Sequence, residues 1–270
     1  MTRTIEREYA ERFPVDAEGI AEGAQGFVLV GTTGRALLLL HGSGDTPQSL
    51  RYLGERLNAA GYTVHAPLLP GHGRSPRAFA TATAHDYYNA SRRAYDELSA
   101  KHEWVGLVGL SMGGALAARI AVDRSGVRAL ALLAPYLSPP PDVRWALGSS
   151  WLWGMTAPYL RGRGEDSVHD VTVRSASRAY GTFSAGALQA LVDTAAAGHS
   201  AVAKLAVPTL VINSEQDNRI PRALAMRALS AMPASTERHW IAGCGHVITV
   251  DYCKDAVAEL VLSFLARHAG

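Results

Sequence analysis

The reading turns on Val108-Gly109-Leu110-Ser111-Met112-Gly113-Gly114, a Gly-x-Ser-x-Gly set between an apolar run and an alanine-rich one. Alone the pattern is weak, since roughly 0.1 matches arise by chance in a chain of this size and ordinary composition. Its surroundings carry the weight. WVGLVGL (104–110) reads as a buried strand, and the helical pattern after Ser111 carries Ala115, Ala117 and Ala118. A serine on a sharp strand-to-helix turn stands clear at the carboxyl edge of a sheet, where open α/β sheets bind ligands. Gly109 and Gly113 remove the Cβ atoms that such a turn would crowd. The helix N-terminus brings the backbone N–H of Met112 to the place where an oxyanion would form.

Outward from this turn the chain alternates strand and helix signals. GFVLVG (26–31) and RALLLLHG (35–42) flank Thr32-Thr33-Gly34, a hairpin-like turn. Leu37 to Leu40 is apolar throughout, as in a strand buried on both faces. Helical patterns over 46–60 and 85–101 enclose the strand YTVHAP (62–67), and VRALALLAP (127–135) is again strand-like. This is the signature of an α/β protein with a mostly parallel central sheet and helices on both faces. Ser138-Pro139-Pro140-Pro141 breaks the alternation, which resumes at VPTLVIN (207–213), ERHWIAG (237–243) and a final amphipathic helix. The predicted organisation is a core of 1–136 and 205–270 with an inserted helical cap, 137–204, whose last helix covers 185–197.

A serine hydroxyl is a weak nucleophile and needs a base oriented by an acid. On a strand–turn–helix serine the chain order is Ser, acid, His, each at a strand end. His246, in Gly243-Cys244-Gly245-His246, follows the last predicted strand. Asp217, in Ser214-Glu215-Gln216-Asp217-Asn218, is the candidate acid, with Glu215 the alternative two residues away. Asp251 and Asp255 follow the histidine and break the order, while His41 and His72 precede the serine. A second oxyanion donor is expected from the loop HGSGD (41–45), through the N–H of Ser43.

The chain has 270 residues, 48% hydrophobic and 19% charged, with a formal charge of +2, enough apolar material for a sizeable core. So mild a charge argues for neither nucleic-acid binding nor a membrane surface. The densest basic group, Arg161, Arg163 and Arg174, is interleaved with acidic residues. Cys244 and Cys253 read as two buried or half-buried thiols, without metal-ligand spacing. No apolar run approaches the ~20 residues that a bilayer span needs, and MTRTIEREYAERFPVDAEG lacks the apolar core of a signal peptide. The expectation is a cytoplasmic protein without stable membrane insertion; its oligomeric state cannot be read from the sequence.

Four segments, LLLLHGSGD, APLLPGHGRS, VGLSMGG and GCGHVITVD, are similar to the α/β-hydrolase superfamily, and the resemblance extends over nearly the whole chain. More narrowly the chain resembles bacterial carboxylesterases and monoacylglycerol lipases. That resemblance implies nucleophile Ser111, acid Asp217, base His246, oxyanion donors Ser43 and Met112, and no metal or cofactor. It also implies a small-molecule ester substrate with a short to medium acyl chain. Trp145, Trp151, Trp153 and Tyr159 would wall an acyl pocket or form an aromatic core under the cap. Two positions depart from the pattern: Ser43 stands where a bulky aromatic is frequent, and Ser214 where the acid loop often begins with glycine. Monoacylglycerol lipase, thioesterase and perhydrolase chemistry, and a ligand-binding module on the same fold, are the competing readings. Dehalogenase and epoxide hydrolase chemistry would use an aspartate at position 111.

Overall fold

The computed structural model describes residues 2–162 and 167–269. Its main sheet is built from β1 (Phe27–Leu29), β2 (Arg35–Leu40), β3 (Thr63–Ala66), β4 (Trp104–Leu110), β5 (Val127–Leu133), β8 (Thr209–Ser214) and β9 (Glu237–Ile241). Two short strands, β6 (Leu160–Arg161) and β7 (Thr182–Phe183), pair separately. The main order is β1-β3-β2-β4-β5-β8-β9, parallel except for β1. The hairpin expected at 32–34 does not form. β1 runs antiparallel to β3 instead, because β2 already has β3 on one edge and β4 on the other.

Side chains on β2 alternate between two cores, as strand geometry requires. Leu38 and Leu40 face α4 (Ala84–Ser99) and α5 (Met112–Asp123), where Tyr87, Tyr95, Leu116 and Ile120 are buried. Leu37 and Leu39 face α2 (Arg51–Ala59) and α11 (Lys254–Arg267), where Leu53, Leu57, Val261 and Phe264 are buried. Truncating one of these leucines to alanine costs roughly 2–5 kcal/mol, from lost burial and the cavity left behind. Thr83 and Asp86 cap the N-terminus of α4 reciprocally. The helix α10 (Arg222–Ser230) buries Ala228 and Leu229 in the first core.

Between β5 and β8 lie α6 (Pro141–Gly148), α7 (Ser150–Thr156), α8 (Val171–Ala176) and α9 (Ala185–Val202). Of these, α9 packs both on α6 and on the core helix α5. It packs on α5 so closely that a Cβ on Gly198 would lie 2.5 Å from that of Ala115. It buries Ala190, Ala201 and Val202 in the first core. The first helix, α1 (Thr2–Arg12), and α3 (Pro76–Thr81) complete the fold. Tyr9 stacks on Tyr180, which stacks on Phe79. Arg163 lies outside the described residues. Among the described residues no helix is long and apolar enough to cross a membrane.

Candidate active site

β4 delivers Ser111 to the carboxyl edge of the sheet, and α5 leaves directly from it. The serine backbone is strained, with φ 54° and ψ −118°, a region that non-glycine residues rarely occupy. The turn closes only because its flanks are glycine. A Cβ on Gly109 would lie 2.3 Å from the carbonyl oxygen of Gly113, and one on Gly113 would lie 2.0 Å from that of Leu40. Three backbone bonds hold the turn: Ser111 N–H donates to the carbonyl of Leu133, and the N–H groups of Gly114 and Tyr136 donate to that of Ser111.

Three residues from three strand ends meet here. His246 Nε2 lies 2.8 Å from Ser111 Oγ, and His246 Nδ1 lies 2.7 Å from Asp217 Oδ2. An ionised carboxylate only accepts, so the imidazole proton sits on Nδ1, and Nε2 is left to accept the serine O–H. The second carboxylate oxygen, Oδ1, accepts the N–H groups of Arg219 (2.7 Å) and Ile220 (2.8 Å). Burial raises the Asp217 carboxyl. The charge and hydrogen bond of His246 and those two N–H groups outweigh it, holding the group below the ordinary carboxylate range. Glu215 is exposed and faces Arg222 instead.

Ser43 and Met112 flank the serine. A Cβ on Gly42 would lie 3.3 Å from that of Ser111, so the loop after β2 runs directly past the hydroxyl. Met112 opens α5, and the first N–H groups of a helix have no intrahelical acceptor. Among the described residues no protein acceptor takes the N–H of Ser43, whereas the next N–H, of Gly44, is bonded to His72 Nε2 at 3.0 Å.

His41 and His72 shape this loop, a role that their positions ahead of the serine concealed. Both are fully buried, with rings edge to face at 4.9 Å. Each accepts a backbone N–H on Nε2, from Leu69 and Gly44, and donates from Nδ1 to the carbonyl of Gly42 or Pro70. Burial and the neighbouring His72 push His41 well below the usual histidine range, and burial pushes His72 down to about 4. The signal in the sequence was the pair of glycine-flanked histidines in HGSGD and PGHGRS.

Ser111 and His246 open into a cavity of about 720 Å³, within the ~300–1,000 Å³ range of small-molecule sites. Its apolar wall comes from Phe79, Val143, Val168, Phe183, Leu188 and Leu191. Asp45 lines it near the base, and burial pushes that carboxyl up to about 6. The four aromatics read as a pocket wall or an aromatic core under the cap do not line the cavity. Trp145 and Trp151 are 76% and 73% exposed on the outer side of α6 and α7. Trp153 bonds the carbonyl of Ala146, and Tyr159 is buried against α1 with its hydroxyl on Glu6. A short amphipathic helix over a cavity can turn its largest side chains either way, and here α6 turns Val143 and Ala146 inward.

The cysteines are also corrected. Cys244 and Cys253 form a disulfide, their Cα atoms 5.8 Å apart, across the loop that carries His246. Ser214, the departure at the start of the acid loop, donates its hydroxyl to the carbonyl of Cys244 and accepts the N–H of Gln216. Among the described residues no group of three or more histidine, cysteine or acidic side chains could hold a metal ion.

This fold, with a serine, a histidine and an aspartate joined at strand ends, defines an α/β-hydrolase of the serine-hydrolase type. Residues 31–252 match the serine aminopeptidase (S33) family, and the chain belongs to that family. It is 29% identical over 237 residues to a thermostable monoacylglycerol lipase of Bacillus sp. (strain H-257), covering 87% of this chain and 91% of that protein. It is 26% identical over 235 residues to a carboxylesterase of Bacillus subtilis (strain 168), covering 86% and 93%. A solved structure described with the metagenome-derived lipolytic enzymes LipS and LipT superposes with a TM-score of 0.83 at 28% identity. It covers 92% of this chain and all of that one.

Proposed function

We propose that this protein is a carboxylesterase that cleaves esters of short to medium acyl chains through an acyl-enzyme on Ser111. The observation that carries the reading is the unbroken relay Ser111–His246–Asp217, opening into a largely apolar cavity. His246 takes the hydroxyl proton as Ser111 Oγ attacks the ester carbonyl, and the N–H groups of Ser43 and Met112 receive the oxyanion. The imidazolium then protonates the departing alcohol. Water, deprotonated by the same Nε2, hydrolyses the acyl-enzyme. Asp217 holds the imidazole in the required tautomer and stabilises its charged form. The inserted segment acts as the cap, and Val143, Val168 and Phe183, which line the cavity from it, support binding of an acyl chain.

A p-nitrophenyl ester panel of butyrate, octanoate and palmitate, run beside Ser111→Ala, tests this. Multiple turnovers on butyrate and octanoate, abolished in Ser111→Ala, are expected. Fastest turnover of palmitate would overturn the chain-length preference, and a single turnover without recycling would favour a ligand-binding module. The family description names an aminopeptidase, so amino-acid p-nitroanilides belong in the panel; turnover of these in preference to esters would reject the ester reading. The curated relative with the higher identity favours monoacylglycerol lipase as the second reading. A kcat/KM for 1-monooctanoylglycerol well above that for ethyl octanoate would select it. The disulfide counts against the cytoplasmic placement, because such bonds persist mainly in oxidising compartments.

A further inference from the structure

Asp251 breaks the Ser–acid–His order and does not touch the relay, yet it is 0% exposed. A buried carboxylate without a cation beside it needs several donors to stay ionised. Here the donors are all backbone. Oδ2 accepts the N–H of Gly245 (2.7 Å) and of His169 (2.8 Å), and Oδ1 accepts those of Asp170 (2.9 Å) and Tyr252 (2.9 Å). Burial raises this carboxyl, and the four N–H groups more than offset it.

The origin of the donors is the informative part. Gly245 immediately precedes His246, whereas His169 and Asp170 belong to the segment lying over the site. One carboxylate therefore joins the base loop to that segment. The join continues on both sides. The carbonyl of Ser167 accepts the N–H of Val247 at 3.0 Å, and Ser167 Oγ donates to Asn218 Oδ1 and accepts from Arg219 Nε. Between these anchors Val168 lines the cavity. The Cys244–Cys253 bond closes the base of the same loop but makes no link to residues 167–170.

We propose that Asp251 is a positioning residue for His246: its buried carboxylate fixes the base loop against residues 167–170, so that base, acid loop and cavity wall keep one register. It acts through the loop and touches neither Ser111 nor substrate. This inference rests on the reading of Ser111, His246 and Asp217 as a catalytic relay.

Asp251→Asn tests it. An amide keeps the shape but turns an NH₂ group toward two of the four donors. In folded protein, judged by circular dichroism and a thiol count of zero, kcat on p-nitrophenyl butyrate should fall by roughly 10- to 100-fold, because small misplacements of a base are that costly. KM should change little, and fluorophosphonate labelling of Ser111 should slow in parallel with kcat. A merely structural role would lower the melting temperature and leave kcat and labelling per folded molecule at wild-type values; that result overturns the proposal. If Asp251→Asn does not fold, Asp170 provides the second route. Its side chain caps α8, and its φ of −66° suits proline. Asp170→Ala loses the cap and keeps the N–H, whereas Asp170→Pro loses both. A kcat for the proline variant below that of the alanine variant by roughly 3-fold or more, at equal KM, supports the proposal, and equal values overturn it. Wild-type protein that turns over no ester would instead reject the relay itself.

Discussion

His246 Nδ1 and Asp217 Oδ2 lie 2.7 Å apart, while the other oxygen of that carboxylate is held by the N–H groups of Arg219 and Ile220. Asp217 is thus held from behind as well as against His246. Asp217→Asn would put an NH₂ group against Nδ1 and drive the imidazole into the tautomer with its proton facing Ser111. The expected loss in kcat is about 1,000- to 10,000-fold with little change in fold. Glu215→Gln, at the exposed runner-up position, should stay within about twofold of wild type, since surface pairs of this kind contribute little. Steady-state kinetics on one p-nitrophenyl ester decides both.

His72 holds the loop of residues 41–45 through the N–H of Gly44 and is neutral because burial depresses it to about 4. The folded protein therefore binds this proton more weakly than the unfolded chain. The stability that follows is fully present above the unfolded histidine value of about 6.5 and is lost as pH falls toward 4. At pH 5 the loss from His72 alone is about 2 kcal/mol, with His41 adding in the same direction. Melting temperatures between pH 7 and pH 5 should fall in the wild type and fall less in His72→Gln, whose amide oxygen can still accept the Gly44 N–H.

Asp45 has the opposite sign. Its folded carboxyl is raised to about 6, so the folded state holds the proton more tightly than the unfolded chain. Stability falls as pH rises from about 4 through 6, by up to roughly 3 kcal/mol before solvent screening reduces it. Asp45→Asn removes this loss. The advantage of the variant over the wild type should grow from about 1 kcal/mol at pH 4.5 to its full value at pH 7, read as a widening gap in melting temperature. A constant difference across that range would show that Asp45 does not titrate where its burial requires.

The parts of the site that follow from local chain geometry were legible before the fold was known. A buried strand running into an alanine-rich helix marks the turn at Ser111, and strand ends in the order serine, acid, histidine pick out Asp217 and His246. What was not legible depends on which surfaces meet. Nothing in GFVLVG says that β1 will pair with β3 rather than β2. Cysteines nine residues apart carry no pairing information until the chain between them folds back around Asp251. Nothing in the alanine-rich pattern of α9 says that Gly198 will lie against Ala115. Large aromatics signal burial somewhere, but not on which side of a short helix, so the sequence alone leaves the tryptophans between the wall and a core under the cap.

That last point makes a prediction about specificity. Trp145 and Trp151 point away from the cavity, whereas Leu188 lines it and is nearly fully buried. Trp145→Ala and Trp151→Ala should leave kcat/KM on soluble p-nitrophenyl acetate and octanoate within about twofold, since exposed substitutions rarely shift energies by more than ~0.5 kcal/mol. Leu188→Trp adds bulk to the apolar wall. A short acyl group near Ser111 should still fit, while a longer one competes with the new ring for the same volume. Loss of even two or three methylene contacts costs about 2 kcal/mol at ~0.8 kcal/mol each. The ratio of octanoate to acetate kcat/KM should therefore drop by more than 10-fold. An unchanged ratio in Leu188→Trp, with altered ratios in the tryptophan variants, would return the acyl wall to the outer face of α6 and α7.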